Sequence, residues 1–264
     1  MIGEGRVEPM RSVVIKNTGL RYQEVGSGPP LLLLDAEDSY GLREPFIEAL
    51  SHDFRVIAPR HPGFDGQAEP QWLKSIGDLA FFYLEALEAL KLGPVPVVGA
   101  SLGGWLAAEI ALRNPAAFSS MSLLAPLGLR VPGVPFGDIF LWTPPETVRN
   151  TFHDEAIVAK VLAREHTGEE VKAALQSRYT TTRLTWSPRF FSPELTRWTE
   201  RLRAPTQIIW GEEDLIAPIA VAEVWTDALP AARLVRLKGC GHLPHVEQPL
   251  AVAQEIASFI QGGQ

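Results

Sequence analysis

The chain of 264 residues contains one cysteine, Cys240. A single thiol excludes an internal disulfide and a thiolate metal site. With no cationic neighbour in sequence to lower its pKa, Cys240 reads as a small buried residue. No apolar run approaches the ~18 residues that a membrane-crossing helix needs, so no membrane partner is expected. The opening residues, Met1-Ile2-Gly3-Glu4-Gly5-Arg6, lack the apolar segment of a secretion signal, and the expected compartment is the cytoplasm. Basic residues are outnumbered 24 to 31, for a net charge of −7 with no basic run. That balance argues against a nucleic-acid partner. His52, His61, His153 and His166 stand apart without ligand spacing, so they read as surface or loop residues and no metal or other cofactor is expected.

What is present is an alternation of strand-like and helix-like stretches. Ser12–Ile15 and Leu20–Val25 read as a hairpin turning at Asn17-Thr18-Gly19. The apolar run Leu31–Leu34 suits a strand buried on both faces of a parallel sheet. A helix over Arg43–Leu50, a strand over Phe54–Ala58 and a helix over Ile76–Leu92 follow. Pro96, just ahead of the next apolar run, is expected only at a strand's first residue. Ser120–Leu124 is the following strand. From about Pro126 the rhythm changes to helix starts at Thr143, Thr167 and Ser192, with no strand-like run until Thr206–Trp210. A helix over Ala220–Leu229, a strand over Arg233–Leu237 and a helix over Leu250–Ile260 complete the chain. The expected fold is α/β, a mainly parallel sheet covered by helices on both faces. Its core spans residues 1–125 and 205–264, and a helical cap is inserted at 126–204. The insertion's aromatics are Phe136, Phe140, Trp142, Phe152, Trp186, Phe190, Phe191 and Trp198, and most are expected to form its own core.

The chemistry concentrates at Val97-Val98-Gly99-Ala100-Ser101-Leu102-Gly103-Gly104-Trp105. Here an apolar run ends in Gly-x-Ser-x-Gly and a helix-prone stretch follows at once. A serine hydroxyl is a weak nucleophile and must be held near a base, clear of the backbone. A sharp strand-to-helix turn does this, with small residues two positions to either side and helix amides facing the site. Two downstream loops supply partners. Trp210-Gly211-Glu212-Glu213-Asp214 places acids directly after a strand, and Gly239-Cys240-Gly241-His242-Leu243-Pro244-His245 places histidines after the next one. Ligand crevices of open parallel sheets lie at that carboxyl edge.

These segments, in the order serine, acid, histidine, resemble the α/β-hydrolase superfamily over nearly the whole chain. The likeness is to small capped serine hydrolases of the carboxylesterase and meta-cleavage-product-hydrolase branches. The resemblance, carried by Trp-Gly-x-x-Asp and Gly-His-x-Pro-His-x-Glu-x-Pro segments, implies Ser101 as nucleophile, Asp214 as orienting acid and His242 as general base. His245 reads as packing the loop near Pro244 and Glu247. It implies the backbone N–H groups of Leu102 and Glu37 as the oxyanion hole. Where the family carries His-Gly-x, this chain has Asp35-Ala36-Glu37-Asp38, and where many relatives have Asp it has Arg60. An exchanged pair, Asp35 with Arg60, is expected to anchor the loop. The expected activity is hydrolysis of small to medium apolar carboxylic esters through an acyl-enzyme, with a small-molecule ester as partner. The chain is compatible with a homodimer, which the sequence does not determine. Two alternatives are a C–C hydrolase of ring-fission diketones and a non-hydrolytic ligand-binding protein. In the C–C branch a Trp follows the catalytic His and a cap arginine binds the substrate carboxylate. Here Leu243 follows, and Arg183 or Arg189 is available.

Overall fold

The computed structural model describes residues 10–35, 40–229 and 231–262. Strands β1 (Arg11–Ile15), β2 (Thr18–Val25), β3 (Pro30–Leu34) and β4 (Arg55–Arg60) open the chain, with helix α1 (Glu44–Ser51) between β3 and β4. Helix α2 (Ile76–Ala89), strand β5 (Val95–Ala100), helix α3 (Leu102–Arg113) and strand β6 (Phe118–Leu124) follow. The insertion then contributes α4 (Pro144–Thr151), α5 (Glu155–Ala163), α6 (Gly168–Thr185) and α7 (Pro193–Trp198). Strand β7 (Thr206–Gly211), α8 (Ala220–Ala228), β8 (Arg233–Leu237), α9 (Pro244–Glu247) and α10 (Pro249–Gly262) close it.

The eight strands form one sheet in the order β1-β2-β4-β3-β5-β6-β7-β8. β2 pairs antiparallel with β1 and β4, and the remaining pairs are parallel. Alternation along each strand divides the core into two layers. Leu32 and Leu34 face a layer shared with Leu79 and Tyr83 of α2, Leu106 and Ile110 of α3, and Trp225 of α8. Leu31 and Leu33 face the other, with Phe46 and Leu50 of α1 and Val252 and Ile256 of α10. The all-leucine run of β3 follows from this burial on both faces.

Several local expectations are corrected. The hairpin turns at Lys16-Asn17, with φ of 44° and 67°, and Ile15 pairs with Thr18, so Thr18 and Gly19 belong to β2. Two consecutive positive φ angles match the twist of the flanking strands. Pro96 is the second residue of β5 rather than the first, and the ladder to β6 shifts register between Val95 and Val97. The missing N–H therefore falls where regular pairing is already broken. Thr143 and Thr167 each form a reciprocal capping box, with Glu146 and Glu170, and Ser192 caps α7. Helix α5, capped by Asp154, and the short α9 have no counterpart in the sequence reading. Of the insertion's aromatics only Phe152 and Phe190 are buried, while Trp186 and Trp198 are exposed. Phe140 stacks on Phe190 with ring centres 4.9 Å apart.

Candidate active site

β3 lies between β4 and β5, so the chain leaves β3 for one neighbour and later returns to the other. Such a reversal opens a crevice at the carboxyl ends of the strands. Ser101 occupies that edge, at the end of β5, with φ 52° and ψ −116°. A non-glycine residue held in such a conformation costs ~1–3 kcal/mol, which the surrounding packing must offset. Close approach explains the neighbouring glycines. A Cβ on Gly103 would lie 2.0 Å from the Leu34 carbonyl oxygen, and one on Gly104 would lie 2.8 Å from Pro126. The Ser101 carbonyl accepts from the amides of Gly104 at 3.1 Å and Trp105 at 3.2 Å, which starts α3. Leu102 is the first residue of α3, so no carbonyl of the helix takes its N–H.

Asp214 and His242 come from the loops after β7 and β8. The Asp214 Oδ1 accepts from the amides of Ile216 and Ala217, each at 2.8 Å. Its Oδ2 lies 2.7 Å from His242 Nδ1, and His242 Nε2 lies 2.9 Å from Ser101 Oγ. A carboxylate only accepts, so Nδ1 carries the proton and the Nε2 lone pair faces the serine hydroxyl. Ser101, Asp214 and His242 are all buried. This arrangement can draw the proton from the hydroxyl as the oxygen attacks, and can hold the resulting imidazolium against a fixed carboxylate. The main-chain N–H of His242 donates to the Thr151 carbonyl at 2.8 Å, so the histidine loop is bound directly to the insertion.

The expected pair of Asp35 with Arg60 is not what the structure forms. Arg60 donates to Asp65 at 2.8 Å, five residues on, and the two are about one-third exposed. Asp35 is buried and lies 3.5 Å from Arg43 Nη1 and 3.2 Å from His245 Nε2. The strand end that reaches Asp35 does so one residue later. His61 Nε2 lies 3.1 Å from the Asp35 carbonyl and His61 Nδ1 lies 2.7 Å from the Tyr83 hydroxyl. A carbonyl only accepts, so Nε2 donates to it, and the neutral ring accepts from Tyr83 at Nδ1. Burial lowers the His61 pKa, more than the carboxylates of Asp65 and Asp35 raise it. Burial also raises the Tyr83 hydroxyl well above its ordinary value. His61 is therefore a buried residue of the loop after β4, so the loop position read from the sequence holds and the surface one does not. Glu37, the expected second oxyanion amide, and Asp38 lie outside the described residues.

Sequence reasoning missed Arg43 and Glu109, and it placed Glu247 only as a neighbour of His245 in the histidine loop. Arg43 is buried beside Asp35, and desolvation lowers its pKa. Glu109 of α3 is buried and accepts from Trp105 Nε1 at 3.0 Å and from Ser192 Oγ at 2.7 Å, while pairing with Arg113. Glu247 accepts main-chain amides from both the histidine loop and the insertion. Acid at a helix interior position, four residues before Arg113, was the available signal for Glu109. Arg43 does not differ in sequence from a solvated helix charge, whereas Glu247 lies in the histidine-loop segment that carries the family resemblance.

The chain belongs to the alpha/beta hydrolase family, whose pattern it matches over residues 29–255. It is similar to a poly(3-hydroxyalkanoate) depolymerase of Ectopseudomonas oleovorans, 27% identical over 95% of this chain and 92% of that one. It is also similar to a 2-hydroxy-6-oxo-6-(2'-aminophenyl)hexa-2,4-dienoic acid hydrolase of Metapseudomonas resinovorans, 26% identical over 91% of this chain and 87% of the relative. A serine hydrolase from the polyaromatic-hydrocarbon-degrading bacterium Cycloclasticus zankles shares the fold, with a TM-score of 0.80 at 16% identity over 97% and 98% of the two chains. The protein is a hydrolase of this superfamily. Among the described residues, no helix is long and apolar enough to cross a membrane.

Proposed function

We propose that this hydrolase cleaves small to medium apolar carboxylic esters through an acyl-enzyme. The observation that carries the reading is the imidazole of His242, set between Asp214 at 2.7 Å and the Ser101 hydroxyl at 2.9 Å. In the first half of the cycle His242 takes the Ser101 proton, Ser101 Oγ bonds to the ester carbonyl carbon, and the alcohol leaves with that proton. In the second half His242 removes a proton from water, the hydroxide attacks the acyl carbon, and Ser101 recovers its proton as the acid departs. The Leu102 amide, at the N-terminal end of α3, and the Glu37 amide are assigned to the developing oxyanion, where one donor is worth roughly 3–4 kcal/mol. The helical insertion acts as the cap.

An apolar acyl group is supported by the apolar residues that follow His242 in the chain. Leu243 and Val246 cluster with Val148, Phe152 and Val158 of the insertion. Similarity to a poly(3-hydroxyalkanoate) depolymerase favours an ester bond. The second reading, C–C cleavage of a ring-fission diketone, is favoured by similarity to the dienoic acid hydrolase. Two side chains count against it. Arg183 pairs with Glu69 and donates to the Leu73 carbonyl, and Arg189 pairs with Asp138 beneath the ring of Trp186. Neither candidate for a substrate carboxylate is unengaged.

An aryl ester panel of graded acyl length, run beside Ser101→Ala, tests the proposal. Turnover that peaks at short or medium apolar acyl groups and vanishes in the variant is expected. Bleaching of a yellow dienone with no ester turnover would replace the ester reading by the C–C one. A serine-directed phosphonate that leaves Ser101 unlabelled while an ester is retained would point to the binding protein.

A further inference from the structure

Glu247 ends the short helix α9 that follows His242, and its two carboxylate oxygens face different parts of the chain. Oε1 accepts the N–H of Gly241 at 2.6 Å, on the residue immediately before the imidazole. Oε2 accepts the N–H groups of His153 and Asp154, each at 2.9 Å, where the chain enters α5. The His242 N–H adds a bond to the Thr151 carbonyl at 2.8 Å. Two residues of the histidine loop are thus fixed to residues 151–154 of the insertion, with one carboxylate taking three of the four amides. The two segments also touch. A Cβ on Gly241 would lie 2.5 Å from the Thr151 carbonyl oxygen and 3.0 Å from the His153 nitrogen.

We infer that Glu247 is a positioning residue for His242, and that through it the cap sets where the imidazole stands over Ser101. The inference rests on the serine-hydrolase reading. Hydrogen bonds to a charged acceptor are short and strong, roughly twice as strong as neutral ones, and each amide on Glu247 has a fixed main-chain origin. The carboxylate therefore fixes the separation of two backbones rather than the pose of one side chain. Burial raises the Glu247 carboxyl above its ordinary range even though three amides favour the charged form. Glu247 is thus a half-buried carboxyl held at the junction by three main-chain amides. The reactive distance is sensitive to this, since a displacement of about 1 Å at a catalytic group can cost ~10²-fold in rate.

The inference is tested with Glu247→Gln in the full chain. The amide matches the acid in length, but one end now presents N–H groups to N–H groups. Expected is a kcat reduced about 10- to 100-fold on a short aryl ester, with KM within about threefold, because the cost falls on geometry. The rate of phosphonate labelling at Ser101 should fall by the same factor. A purely structural Glu247 would lower the urea midpoint and leave kcat per labelled site at the wild-type value, and that result overturns the inference. A second pair of variants leaves α9 intact. Asp154 has φ −73°, which proline can adopt, and its side chain caps α5 by accepting from the Ala156 amide. Asp154→Ala and Asp154→Pro both remove that cap, but only proline removes the N–H that reaches Glu247. A kcat several-fold lower in Asp154→Pro than in Asp154→Ala supports the inference, and equal values overturn it. A wild-type chain that the phosphonate does not label overturns the hydrolase reading and this inference with it. Labelling of wild type and Glu247→Gln at one rate overturns this inference alone.

Discussion

Two clusters of buried polar groups stand at neighbouring strand ends, and they are held in opposite ways. At the ends of β5, β7 and β8, Ser101, His242 and Asp214 form a directed chain, with both Asp214 oxygens and both His242 nitrogens engaged at 2.7–2.9 Å. Beyond β3, Asp35 is approached by Arg43 at 3.5 Å and His245 at 3.2 Å. Yet among the described residues Arg43 Nε and Nη2 and both His245 ring nitrogens have no hydrogen-bond partner. His245 Nε2 comes close to the carboxylate but is not aligned for a hydrogen bond. The first cluster is defined by direction, the second by compensation of charge away from water. Disturbing the first should cost rate, and disturbing the second should cost stability.

The largest expected effect is on the directed cluster. Ser101→Ala should lower kcat on a short aryl ester by roughly 10⁴-fold or more, with the urea midpoint nearly unchanged. Retained turnover would move the chemistry elsewhere. The compensated cluster should answer the other way. Arg43→Ala leaves the Asp35 carboxylate buried with less opposing charge, and a broken buried pair costs about 3–5 kcal/mol, read from urea unfolding. The double change Asp35→Asn with Arg43→Met should recover much of that loss. A single-variant cost below about 1 kcal/mol would remove the contrast, since that is the scale of an exposed pair.

A smaller effect sharpens the comparison at its border, where His61 touches the Asp35 backbone. Its folded pKa lies below the ordinary value of 6.5, so the unfolded chain binds the proton more readily. His61 therefore stabilises the fold above about pH 6.5 and loses that contribution as pH falls toward its folded pKa. Urea midpoints at pH 7 and pH 5 should fall less in His61→Gln than in the wild type. The smallest effect lies beside the directed cluster. Burial, with the charges of Glu247, Asp214 and Glu213, pushes the Cys240 thiol well up. Iodoacetamide at pH 8 should leave the folded protein unmodified and label it once in denaturant, as mass spectrometry would show. Rapid labelling of the native chain would mean that the histidine loop opens.

How much of this the chain shows before folding depends on whether a residue's task is local. The Ser101 elbow is local, because the small neighbours and the following helix lie in one segment. Asp214 and His242 are legible because each follows a strand whose own pattern marks its carboxyl end. The error at Arg60 is one of alternation. The residue that reaches the Asp35 backbone is His61, and successive residues of an extended chain face opposite sides. Arg60 instead turns to Asp65 across its own loop. Helix α9 has four residues, too few to show a period, so the sequence sets Glu247 beside His245 without showing that it reaches the backbone of the insertion. The insertion's aromatics misled for a different reason. An aromatic residue marks apolar surface but not whether that surface turns inward, and Trp186 stays outside with Arg189 over its ring.

Glu109 carries a consequence for engineering. Its carboxylate lies in the interior of α3, paired with Arg113 and accepting the Ser192 hydroxyl that also caps α7. A chimera that exchanged the whole segment between β6 and β7 for that of another hydrolase would remove Ser192 and leave a buried acid with only Trp105 and Arg113, both of α3, as donors. Such grafts carry a stability penalty unless the donor segment brings a hydroxyl to the same place or position 109 is made neutral at the same time. The module is exchangeable only together with its socket.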